Sequence, residues 1–419
     1  PMLIRTRMVL PGNRPPIEDA AVAIVRGRVL STGKWSHVRR HTGGRHLDLG
    51  ETLVLPGLVN AHCHLDYTAM AGLIPPLRSF TDWIKSITTL KGTWSDAEFR
   101  SSWKSGAEML LRSGTTTVAD IEAVPNLLPD LWNLPPLRVI SFLEMTGVRS
   151  RRDPRQILAE TASRAQRLRG RGTGIGLSPH ALYSTTPDLL RLSLQAARRH
   201  NWRLVTHVAE SLEEFDMIRH ARGPMFDWLR RNERDMTDCG QCSPVAQLER
   251  LGYLNRRLLA VHLNYLAPGD ARLLARRGAH VVHCPRSHDY FRHQPFPYSR
   301  LVKTGVNVCL GTDSLVTVRK ARRETIALDL FAEMRVFARA HPAVPAADIL
   351  AMVTCNPARA LGLGGRMGTL QAGAAADLIV LPYAGTISEA LEAAVHHHGP
   401  VSASLIGGAW AIPPADTER

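Results

Sequence analysis

Apolar residues along this chain fall into short, largely β-branched runs that end in polar side chains, and each run is followed by a longer stretch with apolar positions three and four apart. Eight such units lie between residues 54 and 314. The runs finish at His62-Cys63-His64, Asp120, Glu144, Ser178-Pro179-His180, His207, His262, His283-Cys284-Pro285 and Gly311-Thr312-Asp313. The first, Leu53 to Ala61, reads as one strand leading into its histidines. Strand-period runs alternating with helix-period stretches predict a parallel sheet, and eight βα units close as a barrel. Residues 1–53 and 367–419 have a different texture, with short strand-like runs such as Ala21 to Val25 and Asp377 to Leu381 between turns. Neither end carries enough apolar residues for a core of its own. The expected class is therefore α/β, a (β/α)8 TIM barrel over 54–366 with a small β-sandwich domain built from both termini.

Composition narrows the function classes. Of 419 residues 44% are hydrophobic and 21% charged, near the globular average, which excludes a disordered or fibrous chain. Arg, Pro, Gly or His interrupts every apolar run before it reaches membrane-spanning length, and Pro1 to Arg5 has no signal-peptide character, so a cytoplasmic protein without a membrane partner is expected. The six cysteines are scattered, and Cys239-Gly-Gln-Cys242 has no second pair to complete a four-ligand site. The net charge of +15 is mostly arginine, in stretches such as Arg164 to Arg171 and Arg319 to Arg323 that read as solvated helix faces. Without aromatic interleaving or a recognised motif they do not suggest nucleic acid. A positive field still suits a small anionic substrate.

The chemistry lies in the punctuation of the runs. With a period of two, His62 and His64 leave the same face of their strand while Cys63 points away, as two ligands of one metal ion would. His207 ends the fifth run with Glu210 in the loop after it, His262 ends the sixth and Asp313 the eighth. In a (β/α)8 barrel all of these converge at the C-terminal ends of the strands. Histidines with one aspartate suit a divalent metal, zinc or alternatively iron, since several metals take that set. The zinc-site signature His-x-Glu with Pro-Cys-x-x-Cys is absent.

On these residues, and on Pro56-Gly57-Leu58-Val59-Asn60-Ala61-His62-Cys63-His64, Asn356 to Leu363 and Ala376-Asp377-Leu378-Ile379-Val380, the chain resembles the amidohydrolase superfamily in its deaminase branch. The resemblance implies one metal ion held by His62, His64, His207 and Asp313. It implies Glu210 as proton shuttle and His262 as the group that positions the attacking water, with Asp313 as ligand and, alternatively, base as well. The fourth run has no lysine to be carbamylated, which implies a mononuclear site.

Within that branch the segment Ser178 to Tyr183 resembles the one whose histidine, here His180, contacts a purine, and Phe80 to Ile84, with Trp83, resembles the segment that covers the substrate. Thr89-Leu90-Lys91-Gly92 lacks the acidic residue that adenosylhomocysteine deaminases use on the ribose, a role open to Glu144. In the loop after the seventh run Arg286, His288 and Arg292 suggest a grip on a carboxylate. The implied substrate is a 6-aminopurine nucleoside, with 6-amino-6-deoxyfutalosine as the leading specific reading. S-adenosylhomocysteine, methylthioadenosine or another heterocycle, and triazine-type hydrolysis, are the alternatives, a non-catalytic scaffold is the reading from another class, and a homodimer is the assembly allowed.

Overall fold

The computed structural model describes every residue except 76, 78, 149–151, 171–173, 322 and 416–419; Arg171 and Arg322 of the basic stretches thus lie outside the described residues. Eight parallel strands form the central sheet: β6 (Leu58–Cys63), β7 (Thr115–Glu122), β8 (Arg138–Met145), β9 (Gly174–Pro179), β10 (Leu204–Val208), β11 (Leu258–His262), β12 (His280–His283) and β13 (Asn307–Leu310). They neighbour one another in chain order, and a parallel bridge between Cys63 and Asp313 brings the first against the last. Five of the eight are buried at every residue, which is why they read as unbroken apolar runs rather than alternating ones. Inside the barrel Val59, Ile121, Phe142, Val205, Leu259 and Cys309 pack on each other, and a larger core fills the space between strands and helices.

Local signals end the helices where the barrel needs them to. Ser95 and Glu98 form a reciprocal capping box at the start of helix Asp96–Arg112, while Thr186, Ser211 and Ser243 cap the helices after them, satisfying N–H groups that have no intrahelical partner. Trp103 in the first of these helices is fully buried and donates its indole N–H to Asp120 at 2.9 Å, pinning helix to strand β7.

The apolar run read as one strand is two. β5 (Thr52–Pro56) belongs to the sheet formed by the termini, where it pairs with β1 (Met2–Val9) and β14 (Leu378–Pro382), and only after Gly57 does β6 enter the barrel. A Cβ on Gly57 would sit 2.2 Å from Thr116, so the chain crosses between the two sheets where only glycine fits. Both sides of that glycine are equally apolar because each strand is buried in its own sheet. The terminal sheet has eight strands in the order β16 (Ala409–Ile412), β15 (Ala403–Ile406), β14, β5, β1, β2 (Ile17–Val25), β3 (Arg28–Lys34), with β4 (Arg45–Asp48) beside β1. It is one continuous sheet, and its β2–β3 and β15–β16 turns both bond to the segment before β14, where Gly408 donates to Ala376 and Ala376 to Gly27. Among the described residues no helix is long and apolar enough to cross a membrane.

Candidate active site

Each group singled out at a strand end lies at the same mouth of the barrel. His207 Nε2 is 3.3 Å from both His62 Nε2 and His64 Nε2, and Asp313 Oδ1 is 3.6 and 3.7 Å from those two nitrogens. His207 Nδ1 lies 2.8 Å from the carbonyl of His180. A carbonyl only accepts, so Nδ1 carries the proton and Nε2 presents a bare lone pair. Burial, reinforced by neighbouring histidines, pushes His207 well below the usual imidazole range and takes His64 down to about 3. Neutral imidazole nitrogens gathered so closely repel unless a cation sits among them. Four ligands at about 2.0–2.1 Å around one ion would stand about 3.3 Å apart along the tetrahedron's edges, so the spacing fits a zinc-type site.

Asp313 supplies the negative charge. Burial alone would raise its carboxyl, but the neighbouring imidazoles of His62, His262 and His64 hold it well below the usual range. Thr317 Oγ1 donates to its other oxygen at 3.2 Å. Asp313 is delivered there by a strained path. The residues Ala209, His262, Leu263 and Asp313 have φ of 50°, 76°, 49° and 51°, in a region that costs side-chain-bearing residues of order 1–3 kcal/mol each and that clusters at functional sites. Gly311 makes the approach possible, because a Cβ there would lie 2.8 Å from the His62 carbonyl oxygen and 2.9 Å from its Cβ. Asn60 locks the same seam by accepting from the backbone N–H groups of His62 and Thr312.

Glu210 and His262 face each other beside this cluster, Oε1 to Nε2 at 3.5 Å, and His262 Nε2 is buried without a hydrogen-bond partner. Burial, then the charges of Asp313 and Glu214, raises Glu210 well above the usual carboxyl range, whereas burial takes His262 down to about 3. Burial thus favours the neutral form of both partners. Glu214 fixes the loop between them and the strand by accepting from the N–H groups of Ala209 and Glu210 at 3.0 and 2.8 Å.

The cluster forms the floor of a cavity of about 300 Å3. Its walls include Trp83, His180 and Glu144 from the expected set, together with Tyr67, Tyr183 and Trp228. Glu144 lies 3.9 Å from His180 Nε2 and 3.8 Å from Lys91 Nζ, beyond hydrogen-bond reach of either. Burial would raise Glu144, but Lys91, His180 and His64 together hold it below its ordinary value, as an open, ionised acceptor.

Three expected residues are not brought to the cavity. Arg286 turns away and pairs with the fully buried Glu333, Nε to Oε1 at 2.6 Å, the cation in contact with that carboxylate among the described residues. Arg292 takes the left-handed cap position that ends helix Pro285–Phe291 and is exposed. His288 stands behind the site, its Nδ1 3.0 Å from Asn264 Oδ1, while Asn264 donates to the carbonyl of Glu210 at 2.8 Å. Sequence reasoning missed Lys91, the cation among the described cavity residues, although it stands in the very tetrapeptide noted for lacking an acid. It also missed Glu213, Glu214 and Asn264, whose only sequence signal was closeness to Glu210 and His262.

Comparison with known proteins agrees with this geometry. Residues 53–401 match the profile of the amidohydrolase family. The 5-methylthioadenosine/S-adenosylhomocysteine deaminase of Syntrophobacter fumaroxidans is 32% identical over 382 residues, 87% of this chain and 80% of that protein. Among solved structures, Helicobacter pylori aminofutalosine deaminase in complex with methylthio-coformycin superposes with a TM-score of 0.86 at 22% identity, covering 98% of this chain and all of that one. A zinc-bound adenosine deaminase from Xanthomonas campestris gives 0.82 at 24%, covering 99% and 95% of the two chains. Residues, geometry and relatives agree: the chain belongs to the amidohydrolase family and is a hydrolytic enzyme that acts on a carbon–nitrogen bond.

Proposed function

We propose that the protein hydrolytically deaminates a 6-aminopurine nucleoside, using one divalent ion, zinc or alternatively iron, held by His62, His64, His207 and Asp313. The observation that carries this reading is the buried Glu210, 3.5 Å from the unpartnered His262 Nε2, at the floor of a cavity walled by His180 and Glu144. An ion held by these four residues would supply a water activated at neutral pH, its pKa lowered from about 15.7 to about 7. Deamination needs the rest from the chain. Water adds to C6, the C6–N bond breaks, one proton of the water ends on N1 and the other leaves with the nitrogen as ammonia. Glu210 is placed to move both protons in turn, a role worth typically ~10²–10⁴-fold. His262, neutral, is placed to orient the attacking oxygen through Nε2. The aromatic walls exclude other water, and Glu144, which neither Lys91 nor His180 holds at hydrogen-bond distance, is placed to accept from sugar hydroxyls.

Within that class the site favours a nucleoside whose 5′ substituent carries no net negative charge, such as methylthioadenosine, over 6-amino-6-deoxyfutalosine. Arg286 and Arg292 do not reach the cavity, and Glu144 already faces Lys91. The test is ammonia release by metal-loaded protein from adenosine, methylthioadenosine, S-adenosylhomocysteine and aminodeoxyfutalosine. Turnover of uncharged 5′-substituted adenosines with the highest kcat/KM supports the reading. No turnover of any nucleoside, with hydrolysis of a pyrimidine or triazine, refutes it.

A further inference from the structure

One wall of the cavity is a single helix, Phe80–Lys91, which contributes Trp83, Ile84, Ile87, Thr88 and Lys91. Its side chains anchor it by packing: Phe80, Thr81, Trp83 and Ile87 are buried, Phe80 and Trp83 rest on the ring of Phe291 at 5.1 and 5.2 Å between centroids, and Lys85 lies over Trp228. Its N-terminus is held differently. Ser79 already caps it, accepting from Asp82, yet the first two N–H groups are taken by a carboxylate far away in sequence. Glu213 accepts from Phe80 N at 3.1 Å, from Thr81 N at 2.8 Å, from the Thr81 hydroxyl, and from Ser79 Oγ at 3.2 Å. A carboxylate at a helix N-terminus is stabilised both by these donors and by the helix dipole.

Glu213 sits in the first turn of helix Leu212–His220, beside Glu214. The two neighbouring carboxylates therefore do separate tasks from one turn: Glu214 grips the loop of Glu210, and Glu213 grips the cavity wall. We propose that Glu213 is a positioning residue that latches the Phe80–Lys91 wall to the turn carrying Glu210, and so sets substrate affinity without touching the substrate. The latch itself does not depend on which substrate is bound; only its kinetic readout rests on the nucleoside reading.

The experiment uses the full metal-loaded chain with Glu213→Gln and Glu213→Ala, and Glu214→Gln for contrast. Losing hydrogen bonds to a charged acceptor is worth about 10- to 100-fold, so amide exchange over residues 80–84 should quicken by that factor in Glu213→Ala, and KM for methylthioadenosine should rise at least ~10-fold. Metal content should stay at the parent level and kcat within ~3-fold, since Glu214 holds the Glu210 loop independently. Glu213→Gln, keeping one acceptor oxygen, should fall between parent and Ala, and Glu214→Gln should lower kcat instead. Unchanged exchange over 80–84 with unchanged KM overturns the proposal. So does a uniform loss of thermal stability and kcat with KM unmoved, which is what a merely structural carboxylate would give. If Glu213→Ala does not fold, Thr81→Val, which removes one donor to the same carboxylate, supplies the graded comparison. Should no nucleoside be turned over, the substrate reading fails while the exchange measurement still decides the latch.

Discussion

Arg286→Met tests whether this arginine serves the fold rather than the substrate. The guanidinium donates to Glu333 Oε1 at 2.6 Å and to the Ala327 carbonyl at 2.9 Å, and the Arg286 backbone N–H donates to the other carboxylate oxygen at 2.9 Å. Glu333 is fully buried; burial, with a smaller push from Asp329, raises its carboxyl to about 7 against the pull of Arg286. The unfolded value is about 4.3, so folding favours the neutral carboxyl, and that contribution is present below pH ~4 and is lost as pH rises toward the folded value. In the parent the loss stops near pH 7, where the paired carboxylate ionises in place. Without the guanidinium the folded value moves to about 9 or beyond, as for other unpaired buried glutamates, and the loss continues at about 1.4 kcal/mol per pH unit. By pH 9 this adds close to ~3 kcal/mol to the ~1 kcal/mol lost with the hydrogen bonds, so the variant should be about 4 kcal/mol less stable than the parent, within the range for removing one partner of a buried pair. At pH 6 both proteins carry a neutral carboxyl, and the difference should shrink to about 1 kcal/mol for the lost hydrogen bonds. Urea unfolding at pH 6 and pH 9 measures both. Equal losses at the two pH values would refute the linkage argument. Undiminished stability with kcat/KM lowered only for an anionic nucleoside would put Arg286 at the substrate after all.

Glu210→Gln should keep its metal and lose at least ~10²-fold in kcat, since the group moves protons and lies outside the ligand set; loss of metal by elemental analysis would contradict that division of labour. Gly311→Ala drives a methyl group into His62, and the expected result is a purified protein with well under one equivalent of metal; full occupancy would show that the seam can yield. The parent should carry close to one equivalent, and two at a bridged site would overturn the mononuclear set. Glu144→Gln should raise KM for ribonucleosides by about 10-fold while leaving metal content unchanged, and an unaltered KM would remove Glu144 from the substrate.

The eight barrel strands and the polar groups that end them were legible in the sequence because burial on both faces leaves unbroken apolar runs, and because residues two apart on a strand share a face. That local rule was enough to place His62, His64, His207, Glu210, His262 and Asp313 at one mouth. It fails where two elements are equally buried in different sheets, and so β5 and β6 read as one strand across Gly57. It says nothing of partners distant in the chain. Arg286 looked like a substrate contact from its loop alone, and only packing against helix Leu330–Ala340 sets Glu333 before it. Lys91 and Glu213 carried no pattern at all, since a lysine near a helix end and a glutamate in a first turn are ordinary. What makes them part of the site is that the barrel brings a helix after its first strand against the loop after its fifth, over 130 residues apart. Local chemistry and periodicity are written residue by residue, whereas the pairing of charges across the mouth exists only once the barrel has closed.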